Sequence, residues 1–137
     1  MPFEDEDPPF AEPDPQLDEL TRAIIGAAIE VHRTLGPGLD EGLYESAMAI
    51  EFRSRQIPFL RQVVVDVYYK GEIIGEKRLD FIVDNRVIVE LKAVEQIGAV
   101  HKAQVNTYLK ITKLKIGLLI NFNTPVVKDG IKRIIRA

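Results

Sequence analysis

In a chain of 137 residues with no cysteine and two histidines, acid–base and metal chemistry falls mainly to carboxylates and lysines. One strand-like run gathers them. Between Arg86 and Lys92, alternation puts Val87, Val89 and Leu91 on one face and Ile88, Glu90 and Lys92 on the other. Glu90 and Lys92 are then same-face neighbours about 7 Å apart, and neither tolerates burial without a partner. Asp80 interrupts a second apolar run, Leu79 to Val83, across an Asp84-Asn85 turn. If the connecting loop has an odd number of residues, most simply Asp84-Asn85-Arg86 with Val83 opposite Val87, Asp80 lands opposite Glu90 on one face. Such a loop calls for positive φ at Asn85 or a neighbour. Two carboxylates that close repel each other unless a proton or a cation intervenes. A hard divalent cation such as Mg²⁺ takes a few carboxylate oxygens plus waters, and a nearby lysine can orient or deprotonate an attacking water. The plainer alternative is a structural cluster of ion pairs.

The elements that would position these groups follow from periodicity. Leu20, Ile24, Ala27, Val31 and Leu35 recur at helical spacing from Leu17, so a first helix runs to about Thr34 and breaks at Gly36-Pro37-Gly38. Asp40 is placed to cap a second helix with Leu43, Ala47 and Ile50 on its apolar side, ending before Pro58. Glu41 and Glu45 lie one turn apart on it, although an acid in a first turn is favoured by the helix dipole alone. Tyr44 reads as a packing residue. Val63 to Tyr69 and Glu72 to Val83 form two antiparallel strands around Lys70-Gly71, and Arg86 to Lys92 is the third. Helical spacing returns from Gln96 to Ile111, where His101, Gln104 and Tyr108 share a face, the histidine reading as a packing residue. Lys115 to Phe122 is a strand covered on both faces. Gly130 to Ala137 fits either element type. The order is helix, helix, three strands, helix, strand, which makes an α/β domain with a mixed sheet and helices packed on it.

Composition narrows the classes further. The absence of cysteine removes disulfide frameworks, thiolate metal sites and cysteine nucleophiles, and no apolar run is long enough for a membrane span. With an acidic N-terminus in place of a signal peptide, the expectation is a cytoplasmic protein. Residues 1 to 16 hold five of the eight prolines among acids and read as a disordered tail, leaving 17 to 137 as one domain. The net charge of −3 conceals an asymmetry, since eight of the 21 acidic residues precede Leu20 and no basic residue does. After Glu95, eight lysines and arginines face only Asp129. A basic surface of that kind suits a nucleic-acid partner, and equally a solvated face.

Asp80 followed by Glu90-Leu91-Lys92 resembles the D…ExK motif of the PD-(D/E)XK nuclease superfamily, and Gly38-Leu39-Asp40-Glu41-Gly42-Leu43-Tyr44 is similar to the motif of the GxxExxY protein family, a branch of it. The resemblance continues through Gly36-Pro37-Gly38, Val89 to Ala93, Gln104 to Tyr108 as QxxxY, and Gly117 to Phe122, covering about residues 17 to 137. It implies a restriction-endonuclease-like fold and Mg²⁺-dependent (or Mn²⁺-dependent) hydrolysis of phosphodiester bonds in DNA or RNA. By the same resemblance Asp80 and Glu90 bind metal and Lys92 serves the nucleophile or the developing charge. A helix-two glutamate, Glu41 or Glu45, completes the site, and Gln104 and Tyr108 support it. Leu79 stands where the motif's name has proline. The alternative function is a catalytically silent nucleic-acid or protein interaction module on the same fold.

Overall fold

The computed structural model describes residues 14–137. Helix α1 (Pro15–Leu35) opens where Asp14 accepts the Leu17 N–H at 3.0 Å and Pro15 takes the first helical position. Asp14 also pairs with Arg86 at 2.9 Å. The helix and its cap thus take in Asp14, Pro15 and Gln16, which composition grouped with the tail; residues 1–13 lie outside the described residues. Helix α2 (Glu41–Ser54) follows the Gly36-Pro37-Gly38 break, where Gly36 and Gly38 take φ of 70° and 103°. Asp40 sits at its N-cap as expected, but its side chain makes no capping bond.

Strands β1 (Phe59–Tyr69), β2 (Glu72–Val83) and β3 (Val87–Lys92) form a meander, helix α3 (Ala99–Thr112) crosses over, and β4 (Ile116–Asn121) returns parallel to β3. The ambiguous C-terminal segment becomes a 3₁₀ turn, Val127–Gly130, and strand β5 (Ile131–Ile135), antiparallel to β4. The sheet order is β1-β2-β3-β4-β5. This is the mixed sheet flanked by helices that the sequence implied, with a fifth strand added.

Two cores result. Helices α1 and α2 pack on Phe81, Val83, Val87, Val89, Leu91, Leu118 and Ile120. Helix α3 covers the other face through Val105, Tyr108 and Leu109 against Ile82, Ile88 and Leu119. That helix sits very close to β4, since a Cβ on Gly117 would stand 2.6 Å from Val105 Cγ1. Beyond the cores β1 and β2 continue outward as a hairpin turned by Lys70 and Gly71, both at positive φ, with Tyr69 opposite Glu72. Tyr68, Tyr69, Ile73 and Ile74 are exposed there.

Candidate active site

The β2–β3 connection has the expected parity. Val83 pairs with Val87, Ile82 with Ile88 and Phe81 with Val89, so Asp84, Asn85 and Arg86 form the loop, and Asp84 and Asn85 both take positive φ. The pairing stops at Phe81 and Val89. At the next position, where Asp80 falls opposite Glu90, side chains replace the ladder: the Asp80 N–H donates to Glu90 Oε1 and the Leu91 N–H donates to Asp80 Oδ2, each at 2.8 Å. Each carboxylate thus commits one oxygen to the partner strand, and Asp80 also makes a side-chain hydrogen bond with Glu45.

Strand β2 also turns over at this point. Leu79 and Phe81 are two residues apart and should share a face, yet Phe81 belongs to the α1–α2 core and Leu79 to the α3 core. Opposite Asp80 on β1, between the pairs Arg61–Phe81 and Val63–Leu79, Gln62 adopts a φ of 54°. A non-glycine residue in that region stores strain, commonly at functional sites. The reversal leaves Asp80 at the seam between the two cores, within reach of groups from both helical layers.

The electrostatics follow from this crowding. Burial raises Asp80 to about 6, helped by the Glu45 and Glu41 charges and opposed by the Leu91 N–H. Glu90 is raised to about 8 by burial first and then by Asp80, while the Asp80 N–H and Lys92 act the other way. Glu41 adds to the same negative potential. Lys92 donates to Gln104 Oε1 at 3.2 Å. The Tyr108 hydroxyl is raised by burial and by the Glu90 and Asp80 charges, and a hydrogen bond with Gln104 partly offsets them. The structure therefore brings Asp80, Glu90, Lys92, Glu41, Glu45, Gln104 and Tyr108 into one neighbourhood.

The two helix-two glutamates differ. Glu45 is held through both oxygens, Oε2 by Arg61 at 2.7 Å and Oε1 by Gln62. Glu41 is exposed. Arg61 and Gln62 had no signal in the sequence, because their role depends on the turn-over of the strand. His101 is a capping residue: its Nδ1 accepts the Gly98 N–H at 3.0 Å at the start of α3. Asn121 has a structural role that the sequence pattern does not announce. Its amide brackets Val94, donating to the carbonyl and accepting from the N–H, and so fixes the chain just after Lys92.

The donor set suits a hard divalent cation. Two oxygens left over from a repelling pair, with further negative charge behind them, are what Mg²⁺ uses, since it needs only one or two carboxylates besides water and substrate phosphate. Among the described residues no three His, Cys, Asp or Glu side chains group closely enough to ligate an ion together. The fit rests on the pair.

Comparison with known proteins bears on the fold and the lineage. None of the curated proteins matches the chain. The crystal structure of SSO0001 superposes with a TM-score of 0.50 at 17% identity, over 88% of this chain and 57% of that one, a likeness of fold. The chain spans little more than half the length of that protein. Among the described residues no helix is long and apolar enough to cross a membrane. The family model of the PD-(D/E)XK nuclease superfamily matches residues 18–134, and the chain belongs to that superfamily.

Proposed function

We propose that the protein is a divalent-metal-dependent nuclease of the GxxExxY branch that hydrolyses phosphodiester bonds in DNA or RNA. The observation that carries this reading is the Asp80–Glu90 exchange: a half-buried and a buried carboxylate are locked across β2 and β3 by each other's backbone, each with a second oxygen that the ladder does not use. Those oxygens would hold Mg²⁺ or Mn²⁺. The ion, when bound, supplies a Lewis acid and a lowered pKa for a coordinated water. Lys92 is held by Gln104 on the same strand face as Glu90, where its positive charge meets the charge developing on a phosphoryl oxygen. Gln104 fixes the lysine and Tyr108 closes the site on the α3 side. Glu45 and Glu41 contribute negative potential, and Glu45, tied to Arg61, also bonds to Asp80.

The test is cleavage of single- and double-stranded DNA and of RNA with Mg²⁺ and with Mn²⁺. Activity should require the metal and be lost in Asp80→Asn and Glu90→Gln. These isosteres suit better than alanine, which would orphan the N–H of Leu91 or Asp80. Lys92→Ala should keep metal binding and lose most of the rate. A parent protein inert on every substrate with both metals, yet binding nucleic acid, would establish the interaction module instead.

A further inference from the structure

Helix α2 begins without a side-chain cap, because the Asp40 carboxylate does not bond to its first turn. Something else must fix where the helix starts. Tyr44, one turn into α2, is fully buried and its ring lies flat on Phe122, with centroids 4.5 Å apart and planes 8° from parallel. Its hydroxyl reaches back over the preceding turn, donating to the Gly36 carbonyl and accepting the Leu39 N–H at 3.2 Å. One phenol thus closes both ends of the Gly36–Leu39 loop, whose two glycines adopt φ values that other residues resist. The residue after Asp40 is Glu41, and Phe122 follows Asn121, the residue that brackets the chain after Lys92.

We propose that Tyr44 is a positioning residue: by stapling the Gly36–Leu39 loop and stacking on Phe122 it sets where α2 begins, and so where the Glu41 carboxylate stands relative to the Asp80–Glu90 pair. This rests on the metal-site reading above and explains the three-residue spacing between the glutamate and the tyrosine. Glu41 is the first residue of the helix. Tyr44 lies one turn later, the earliest position from which an inward side chain can fold under the loop that delivers it.

The test is Mn²⁺ binding to the full chain by calorimetry, with amide hydrogen exchange at Leu39 as a second readout. Tyr44→Phe keeps the stack and removes both hydroxyl bonds. It should speed Leu39 exchange and weaken Mn²⁺ binding by up to roughly tenfold, the low end of what loss of an outer-shell partner costs. Glu41→Gln should weaken binding as well, and the double variant should bind no worse than Glu41→Gln alone, because the tyrosine acts through the glutamate. Gly38→Ala strains the loop at its φ of 103° without touching the core, and should reproduce the loss. Additive effects of Tyr44→Phe and Glu41→Gln, or unchanged Mn²⁺ affinity in Tyr44→Phe beside a weakened Glu41→Gln, overturn the proposal and leave the metal site standing. A parent chain that binds no Mn²⁺ overturns the metal-site reading, and the positioning role falls with it.

Discussion

Strand β2 has two halves that obey different rules. Its outer half, Glu72 to Arg78, is exposed on both faces and runs in a ladder with β1 that contains one shift, between Val67 and Tyr68. Its inner half, Leu79 to Val83, is buried between two helical layers, and there the ladder to β3 breaks off at Asp80. A hairpin can be regular because water satisfies whatever its edges leave open. A buried strand can be irregular only where side chains take over the backbone's bonds, and Asp80 and Glu90 do so. The chemistry sits where a buried sheet has exchanged backbone pairing for carboxylates.

Substitutions should separate the halves. Phe81→Ala removes a fully buried ring that meets Phe52 and Phe59 edge-on or nearly so, and should cost about 3–5 kcal/mol, read as a lower urea midpoint. Gly117→Ala forces α3 away from β4 and should cost roughly 1–3 kcal/mol in the same assay. By contrast Ile74→Thr on the outer hairpin should stay within about 0.5 kcal/mol of the parent. A loss at Ile74 as large as at Phe81 would show that the outer hairpin is part of a covered interface.

A pH series sharpens the same contrast. Asp80 and Glu90 titrate higher in the folded chain than in the unfolded one, so between pH about 4 and 8 the folded state holds the extra protons. Stability from this pair is therefore greatest at the acid end of that window and falls as pH rises toward 8. The metal-free melting temperature should drop across it. Asp80→Asn or Glu90→Gln should flatten the drop, and Mg²⁺ should restore more stability at pH 8.5 than at pH 5. A parent protein whose melting point rises through this range would mean that burial and mutual repulsion do not hold protons on the pair.

At the N-terminus a smaller effect is expected. Deleting residues 1 to 13 should leave the melting temperature unchanged, whereas deleting through Gln16 removes the Asp14 cap and its bond to Arg86 and should lower it.

Much of this was written in local pattern. The odd loop of Asp84, Asn85 and Arg86 follows from placing Asp80 and Glu90 on one face, and the helices from the spacing of their apolar residues. What was hidden depends on distant contacts. The turn-over of β2 at Asp80 is compensated by Gln62 on another strand, and nothing in the alternation of Leu79 and Phe81 announces it. Arg61 looks like any exposed strand arginine until α2 brings Glu45 to it. Asp40 has the composition of a cap, but the loop it ends is fixed by Tyr44. Strand β5 needed β4 as a template, because Ile131–Ile135 is too short to declare its own structure.

The central claim is that the oxygens left over at Asp80 and Glu90 enclose a cation. Anomalous diffraction from crystals grown with Mn²⁺ tests it most directly. The account predicts a peak between the two carboxylates at roughly 2.0–2.6 Å from an oxygen of each, the range of hard-cation bonds, lost in Glu90→Gln. Density that is empty there while manganese binds elsewhere on the chain, or a peak that survives the substitution unchanged, would contradict it.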